Sequence, residues 1–270
     1  MDRLSALTRK RERLFGVLAK IPVLVLLFLG MSSCSDSETV LVPTDNFVSN
    51  FYTNTRSLTI LVGYEEGASP FVKYNTFDAW DVCKQNITDL LDTRGINLKV
   101  PVGIEEMINL GALEQNNYTR ENLASFAQGI QKNDNATEDK SIVVLFLNGY
   151  YIKDGMPKQK ILGINLDGTP VIAVFKPVIK TSSNSAAEQA LIEQSTIVHE
   201  IGHALGLVNN GVPVTSAHQD ANHGAHCINP KCVMFWQNSG TKIQQFVQPF
   251  LLSGKVQLFG NQCKSEIKAK

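Results

Sequence analysis

All five histidines of this chain fall between positions 199 and 226, and the first two belong to His199-Glu200-Ile201-Gly202-His203. A spacing of four on a helix stacks two side chains on one face, one turn apart. Neutral imidazole is the commonest biological metal ligand, so the pattern demands a rigid helix and a later segment that returns with further donors. The helix is readable in the sequence. Ser185-Ala186-Ala187-Glu188 has capping-box spacing, and Ala190, Ile197, Ile201, Ala204 and Leu205 keep one face apolar as far as Gly206. From Asn209 to Asn229 no periodicity holds, and Gly211, Pro213 and Gly224 mark an irregular segment. A loop that long inside a domain is usually functional or held by something. It carries His218, Asp220, His223 and His226, then runs into Cys227-Ile228-Asn229-Pro230-Lys231-Cys232-Val233-Met234.

The remaining sequence supplies the frame. Leu58–Val62 has strand length, and Ile142–Leu147 is apolar on both faces, which predicts a central strand. Ile161–Ile164 and Val171–Phe175 read as further strands around the turn signal Asp167-Gly168. Helical spacing of Phe77, Trp80, Ile87 and Leu91 predicts a helix over 76–92. Thr119 is placed to cap a helix that carries Leu123, Phe126, Ala127 and Ile130. A last helix is expected over Ile243–Leu252. The order predicts an α+β fold with a twisted mixed sheet, a long site helix and an irregular or helical C-terminal part. One domain spans 56–270.

The N-terminus reads as an export signal. Six basic and two acidic residues lie in 1–33, and the apolar run Ile21–Gly30 leads through Met31-Ser32-Ser33 to Cys34. The run is short for a membrane span. Its end resembles a bacterial lipobox, which implies lipidation of Cys34. Residues 34–55 then form a polar tether, and the domain is expected in the cell envelope as a membrane-anchored lipoprotein, outer-membrane, periplasmic or surface-exposed; an ordinary cleaved signal and an uncleaved anchor helix are the alternatives, and all three put it outside the cytoplasm. Without residues 1–33 the chain holds 19 basic and 23 acidic residues, a net charge of −4. A mildly acidic chain with no basic patch makes a poor nucleic-acid binder, and no nucleic-acid partner is expected. Setting Cys34 aside, four cysteines remain, and an even count in an exported protein favours disulfides. Cys227–Cys232 is the nearest pair, with metal ligation the alternative for those two; Cys83 with Cys263 is the remainder, although Cys83 also suits the apolar face of a helix.

The chemistry of His199-Glu200-x-x-His203 follows from its spacing. Both imidazoles can share one ion, while Glu200 projects beside them toward a water that the metal polarises. The sequence motif points to zinc-dependent hydrolysis of a carbonyl compound. Zinc prefers imidazole nitrogen to a neutral amide oxygen, which disfavours Asn209 as a third ligand and leaves His226, His223 and His218. Asp220 can orient a ligand ring.

The segment resembles the metzincin clan of zinc peptidases, whose signature is H-E-x-x-H-x-x-G-x-x-H followed by a Met-turn. Here it reads from His199 to Gly206 and then departs, with Asn209 where the third histidine belongs. It is more similar to the archaemetzincins, in which the third histidine precedes C-x4-C-x-M, as in His226-Cys227…Cys232-Val233-Met234. It also resembles exported metalloproteases of Bacteroidota. The resemblance covers 196–236. It implies a zincin-type catalytic domain, a zinc ion on His199, His203 and His226, Glu200 as general base, Met234 as Met-turn residue, and a protein or peptide substrate laid along an edge strand, Val171–Phe175 or Ile161–Ile164. The family's second cysteine pair, C-x-x-C, is absent, so its second zinc is not implied here. Two other readings stay open: a metal-binding envelope lipoprotein without catalysis, and a zinc amidase acting on cell-wall peptides.

Overall fold

Ile142–Leu147 is buried along its whole length, as a strand apolar on both faces must be, and the sheet is assembled around it. The computed structural model describes residues 47–131, 138–240 and 242–270. The export signal, Cys34 and tether residues 35–46 lie outside the described residues. In chain order, helix α1 (Phe47–Asn54) leads into strand β1 (Ser57–Tyr64). A small hairpin follows, β2 (Lys73–Tyr74) and β3 (Phe77–Asp78), then α2 (Trp80–Leu91), β4 (Asn97–Lys99) and β5 (Ile108–Asn109). Next come β6 (Asn117–Tyr118), α3 (Arg120–Ile130), the long β7 (Asp139–Leu147), and the hairpin β8 (Tyr150–Lys153) and β9 (Met156–Lys158). The hairpin β10 (Gly163–Asn165) and β11 (Val171–Phe175) is followed by α4 (Lys176–Thr181), α5 (Ala186–Ala204), α6 (Ile243–Val247) and α7 (Asn261–Ala269).

The main sheet runs β10-β11-β7-β1-β4, and β5 also pairs with β1. Every pairing is parallel except β10 with β11. Parallel neighbours need long crossovers. Helix α2 lies in the one from β1 to β4 and α3 in the one from β5 to β7. The result is a mixed α/β arrangement with a mixed sheet, compatible with an α+β class. A separate three-stranded sheet, β6-β8-β9, is built from the crossover that follows β7 and from β6.

Four elements differ from the sequence expectation, each for a local reason. The helix expected over 76–92 starts at Trp80, because Asn75 takes a left-handed φ of 49° and turns the chain into the β2–β3 hairpin. The helix expected over Ile243–Leu252 gives way after Val247 to a 3-10 turn containing Pro249, which cannot donate to a continuing ladder. Val171–Phe175 is not an edge strand: it is buried between β7 and β10, and β10 forms the edge. Residues 47–54, placed in the tether, are helix α1, with Phe47, Val48 and Phe51 buried. The tether reading missed an amphipathic turn hidden among Ser, Asn and Thr.

Helix α5 is the scaffold of the site. The Ser185 hydroxyl accepts from Glu188 N–H and caps its start. The helix packs against β10, β11, α2, α6 and β2, and even its polar residues Glu193, Gln194, Ser195 and Thr196 are buried. Buried Glu193 pairs with Lys176 and also accepts from the Phe71 N–H at 2.7 Å, so neither charge is left unpaired. Among the described residues, no helix is long and apolar enough to cross a membrane.

Candidate functional site

His199 and His203 leave α5 on the same face, with ring centroids 4.7 Å apart. His199 Nδ1 donates to the Val233 carbonyl at 2.7 Å. That bond fixes the tautomer and leaves the Nε2 lone pair facing His203 Nε2 at 3.1 Å. The third ring is His226. Its Nδ1 donates to the His223 carbonyl at 2.6 Å, and its buried Nε2 has no hydrogen-bond partner. The donor nitrogens of His199, His203 and His226 lie within 4.8 Å of one another. His203 Nε2 can donate to the His199 lone pair, but the His226 lone pair meets no donor. A tetrahedral zinc with bonds of about 2.0–2.1 Å would set such nitrogens roughly 3.3 Å apart, so the three rings fit that ion. Burial lowers all three pKa values, that of His199 to about 3 with help from His226, and keeps the rings in the neutral form that ligates.

Backbone geometry at the end of α5 decides which loop residue joins the pair. Gly206 has a φ of +83°, and a Cβ there would meet Val48 Cγ1 of α1 at 2.6 Å. Val208 and Asn209 also adopt left-handed φ values of 54° and 64°. The chain thus swings away, and exposed Asn209 bonds Gln219 Oε1 at 3.2 Å rather than entering the cluster. The Tyr52 hydroxyl of α1 donates to the Leu205 carbonyl at 2.7 Å, which ties this turn down from behind. The loop then returns through a bridge between Gln219 and Cys227 and another between Cys227 and Phe235.

The other loop residues take separate places. His223 is exposed, stacks on Trp236 at 3.9 Å and bonds Asp220 Oδ2 at 2.8 Å. Asp220, expected to orient a ligand ring, therefore holds His223, which meets the cluster only through its carbonyl. His218 is buried elsewhere, between Cys227 Sγ and Glu266. Met234 is buried beneath the histidine turn: a Cβ on Gly202 would meet its Sδ at 2.5 Å, so glycine there lets the sulfur lie against the helix. The expected Cys227–Cys232 disulfide is not formed. Both thiols are free, as are Cys83 and Cys263. The Cys83–Cys263 pairing is not formed either: Cys83 is buried on α2, and Cys263 Sγ lies 3.5 Å from Cys232 Sγ.

Glu200 lies one residue beyond His199 and is buried against β10. Gly163 makes this approach possible, because a Cβ there would meet Thr196 Cγ2 at 2.6 Å and Glu200 Cγ at 3.3 Å. Burial pushes the Glu200 carboxyl up to about 8. The Asn165 N–H bonded to it pulls the other way, and Asp167 adds to the rise. In the β10–β11 hairpin, Leu162 O accepts from Phe175 N and Leu166 N donates to Val171 O, both at 2.9 Å. The two-residue period of the ladder turns the peptide groups of Gly163 and Asn165 to the free edge. A cleft of about 500 Å³ opens along this edge, floored by His199, Glu200, His203 and His226 and walled by Arg120, Tyr151, Lys153 and Ile161. Sequence reasoning missed that wall. Arg120 and Tyr151 are adjacent to nothing catalytic in the chain, and only the β6-β8-β9 sheet carries Tyr151 and Lys153 to the cleft.

No family model matches the chain, and no curated protein matches it. Among solved structures it is similar to a zinc-dependent peptidase from Methanocorpusculum labreanum (strain Z), with 12% identity and a TM-score of 0.42 over 77% of this chain and 99% of that one.

Proposed function

We propose that this protein is a zinc-dependent endopeptidase of metzincin type. The observation that carries the reading is the convergence of three neutral imidazoles, His199, His203 and His226, beside a buried carboxylate on the floor of a cleft with a free strand edge. Zinc held by those rings would polarise a scissile carbonyl and acidify a water beside it. Glu200 accepts the proton from the attacking water and delivers it to the leaving amine. A carboxylate raised toward neutrality by burial suits both halves of that transfer. The Asn165 N–H holds Glu200 in place. Gly163 offers its N–H and C=O to an extended peptide lying antiparallel to β10, a form of β-augmentation. Met234, beneath Gly202, gives the rings an apolar floor.

A closed, non-catalytic metal site is less well supported. It would take four protein ligands, and His218 and His223 are both engaged away from the three rings. Cleavage of cell-wall peptides uses the same groups and differs only in substrate.

The test is Glu200→Ala in the full-length protein. Hydrolysis of a casein-type substrate should fall by at least 10²-fold, the scale of general-base loss, with zinc content unchanged. Proteolysis that persists in the variant, or in the presence of a chelator, overturns the reading. A peptidoglycan peptide cleaved in place of casein would move the substrate to the cell wall. We place the enzyme at the envelope, carried by a lipid on Cys34. Radiolabelled palmitate should enter the wild-type protein and not Cys34→Ala, and equal labelling of the two would exclude the anchor.

A further inference from the structure

Behind the three imidazoles, a second set of metal-binding side chains is closed inside the protein. Cys227, Cys232, Cys263 and His218 are all buried. Cys232 Sγ lies 3.5 Å from Cys263 Sγ, and Cys227 Sγ lies 3.4 Å from His218 Nδ1. The donor atoms of His218, Cys227 and Cys263 fall within 4.8 Å of one another. A tetrahedral zinc, with bonds of about 2.3 Å to sulfur and 2.0–2.1 Å to nitrogen, spaces its donors roughly 3.4–3.8 Å apart. A disulfide needs about 2.05 Å, and three cysteines cannot all be paired.

Backbone N–H groups point at two of the sulfurs, and a carboxylate orients the ring. Asn229 N–H donates to Cys227 Sγ at 3.4 Å, and Gly260 N–H donates to Cys232 Sγ at 3.2 Å. His218 Nε2 is bonded to Glu266 Oε1 at 2.7 Å. That bond directs the Nδ1 lone pair at the sulfurs, in the carboxylate–histidine–metal arrangement that orients a ligand. The other Glu266 oxygen accepts from Val208 N–H at 2.9 Å, at the turn that ends the site helix.

We propose that Cys227, Cys232, Cys263 and His218 bind a second, structural zinc ion that holds the first site in shape. The resemblance noted above implies no such centre, since the second cysteine pair is missing; here the loop supplies His218 and α7 supplies Cys263. Each of two ligands is the chain neighbour of a group that builds the first site. Cys227 follows His226, and Cys232 precedes Val233, whose carbonyl orients His199. Four donors from the loop, the Cys227–Cys232 turn and α7 fix segments that have little other regular structure. The site is closed by four protein ligands, as structural zinc requires. Only the holding role rests on the peptidase reading; the ion itself does not.

Metal analysis and cobalt substitution of the full-length protein test this. The wild type should hold two zinc ions per chain, and its cobalt form should show a thiolate-to-metal charge-transfer band. His203→Ala should lose one metal and keep that band, and Cys263→Ser should lose the band. Glu266→Gln keeps all four donors, guards against a variant that fails to fold, and should weaken the thiolate site by about 10–100-fold in chelator competition. Cys263→Ser should also weaken metal binding at the three imidazoles, and unchanged affinity there would refute the holding role. One zinc per chain with no charge-transfer band, or a mass lower by two hydrogens that shows a disulfide among these cysteines, overturns the proposal. If instead His203→Ala retains two metals, it is the peptidase reading that fails.

Discussion

His223 and His226 are three residues apart and have opposite surroundings. His223 is solvent-facing, stacked on Trp236 and paired with Asp220, whereas His226 turns an unpartnered nitrogen toward His199 and His203. His226→Ala should therefore lose the catalytic zinc and the activity, and His223→Ala should keep both. The reverse result would transfer the third ligand to His223. Asn209→Ala should leave zinc content unchanged, because its amide reaches only Gln219. The sequence narrowed the third ligand to three histidines by the chemistry of zinc. Zinc chemistry alone did not separate them, because the path of the loop depends on left-handed backbone at Val208 and Asn209, which neither residue type announces; it was the resemblance carried by His226-Cys227…Cys232-Val233-Met234 that singled out His226.

Two buried groups of the metal-free site respond to pH in opposite senses. His199 has a folded pKa near 3 against 6.5 unfolded, so its contribution is present above about pH 6.5 and is lost as pH falls toward 3. Glu200 has a folded pKa near 8 against 4.5. Its contribution is present below about pH 4.5 and is lost as pH rises through 8. In chelated protein, Glu200→Gln should raise the unfolding temperature at about pH 9 and change it little at about pH 4. A gain at pH 4 that equals or exceeds the gain at pH 9 would mean that Glu200 is not desolvated.

At the scale of elements, α1 and β10 govern the site from opposite sides. Helix α1 packs Val48 over Gly206 and hydrogen-bonds Leu205 through Tyr52. Phe51→Ala should cost about 3–5 kcal/mol of unfolding free energy, the usual range for a buried phenylalanine. A cost under about 1 kcal/mol would detach α1 from the fold. Strand β10 can approach α5 only because residue 163 lacks a side chain. Gly163→Val should displace the edge and lower peptidase activity with zinc retained, and undiminished turnover would remove β10 from substrate binding. The apolar strands β7 and β11 and the capped helix α5 were legible because each obeys one periodicity throughout. Helix α1 and the placement of Cys263 were not. The first is short and polar on its outer face, and the second depends on a contact between Cys232 and Cys263 made across 31 positions of chain.

At the scale of the molecule, the mixed sheet and α5 form one packed block, and the loop 205–236 adds the last ring to it. Everything the chemistry needs except His226 comes from that block: His199, Glu200 and His203 from one helix, and the receiving edge from one strand. In the proposed function Glu200 carries a zinc-dependent hydrolysis without helping to hold the metal. Its most direct measurement is the cleavage rate of a peptide library by wild-type protein and by Glu200→Ala, compared at equal zinc content. Cleavage by the wild type should be chelator-sensitive and should fall by at least 10²-fold in the variant, with zinc bound in both proteins. Equal rates in the two proteins, or a variant that loses its zinc, would contradict that function.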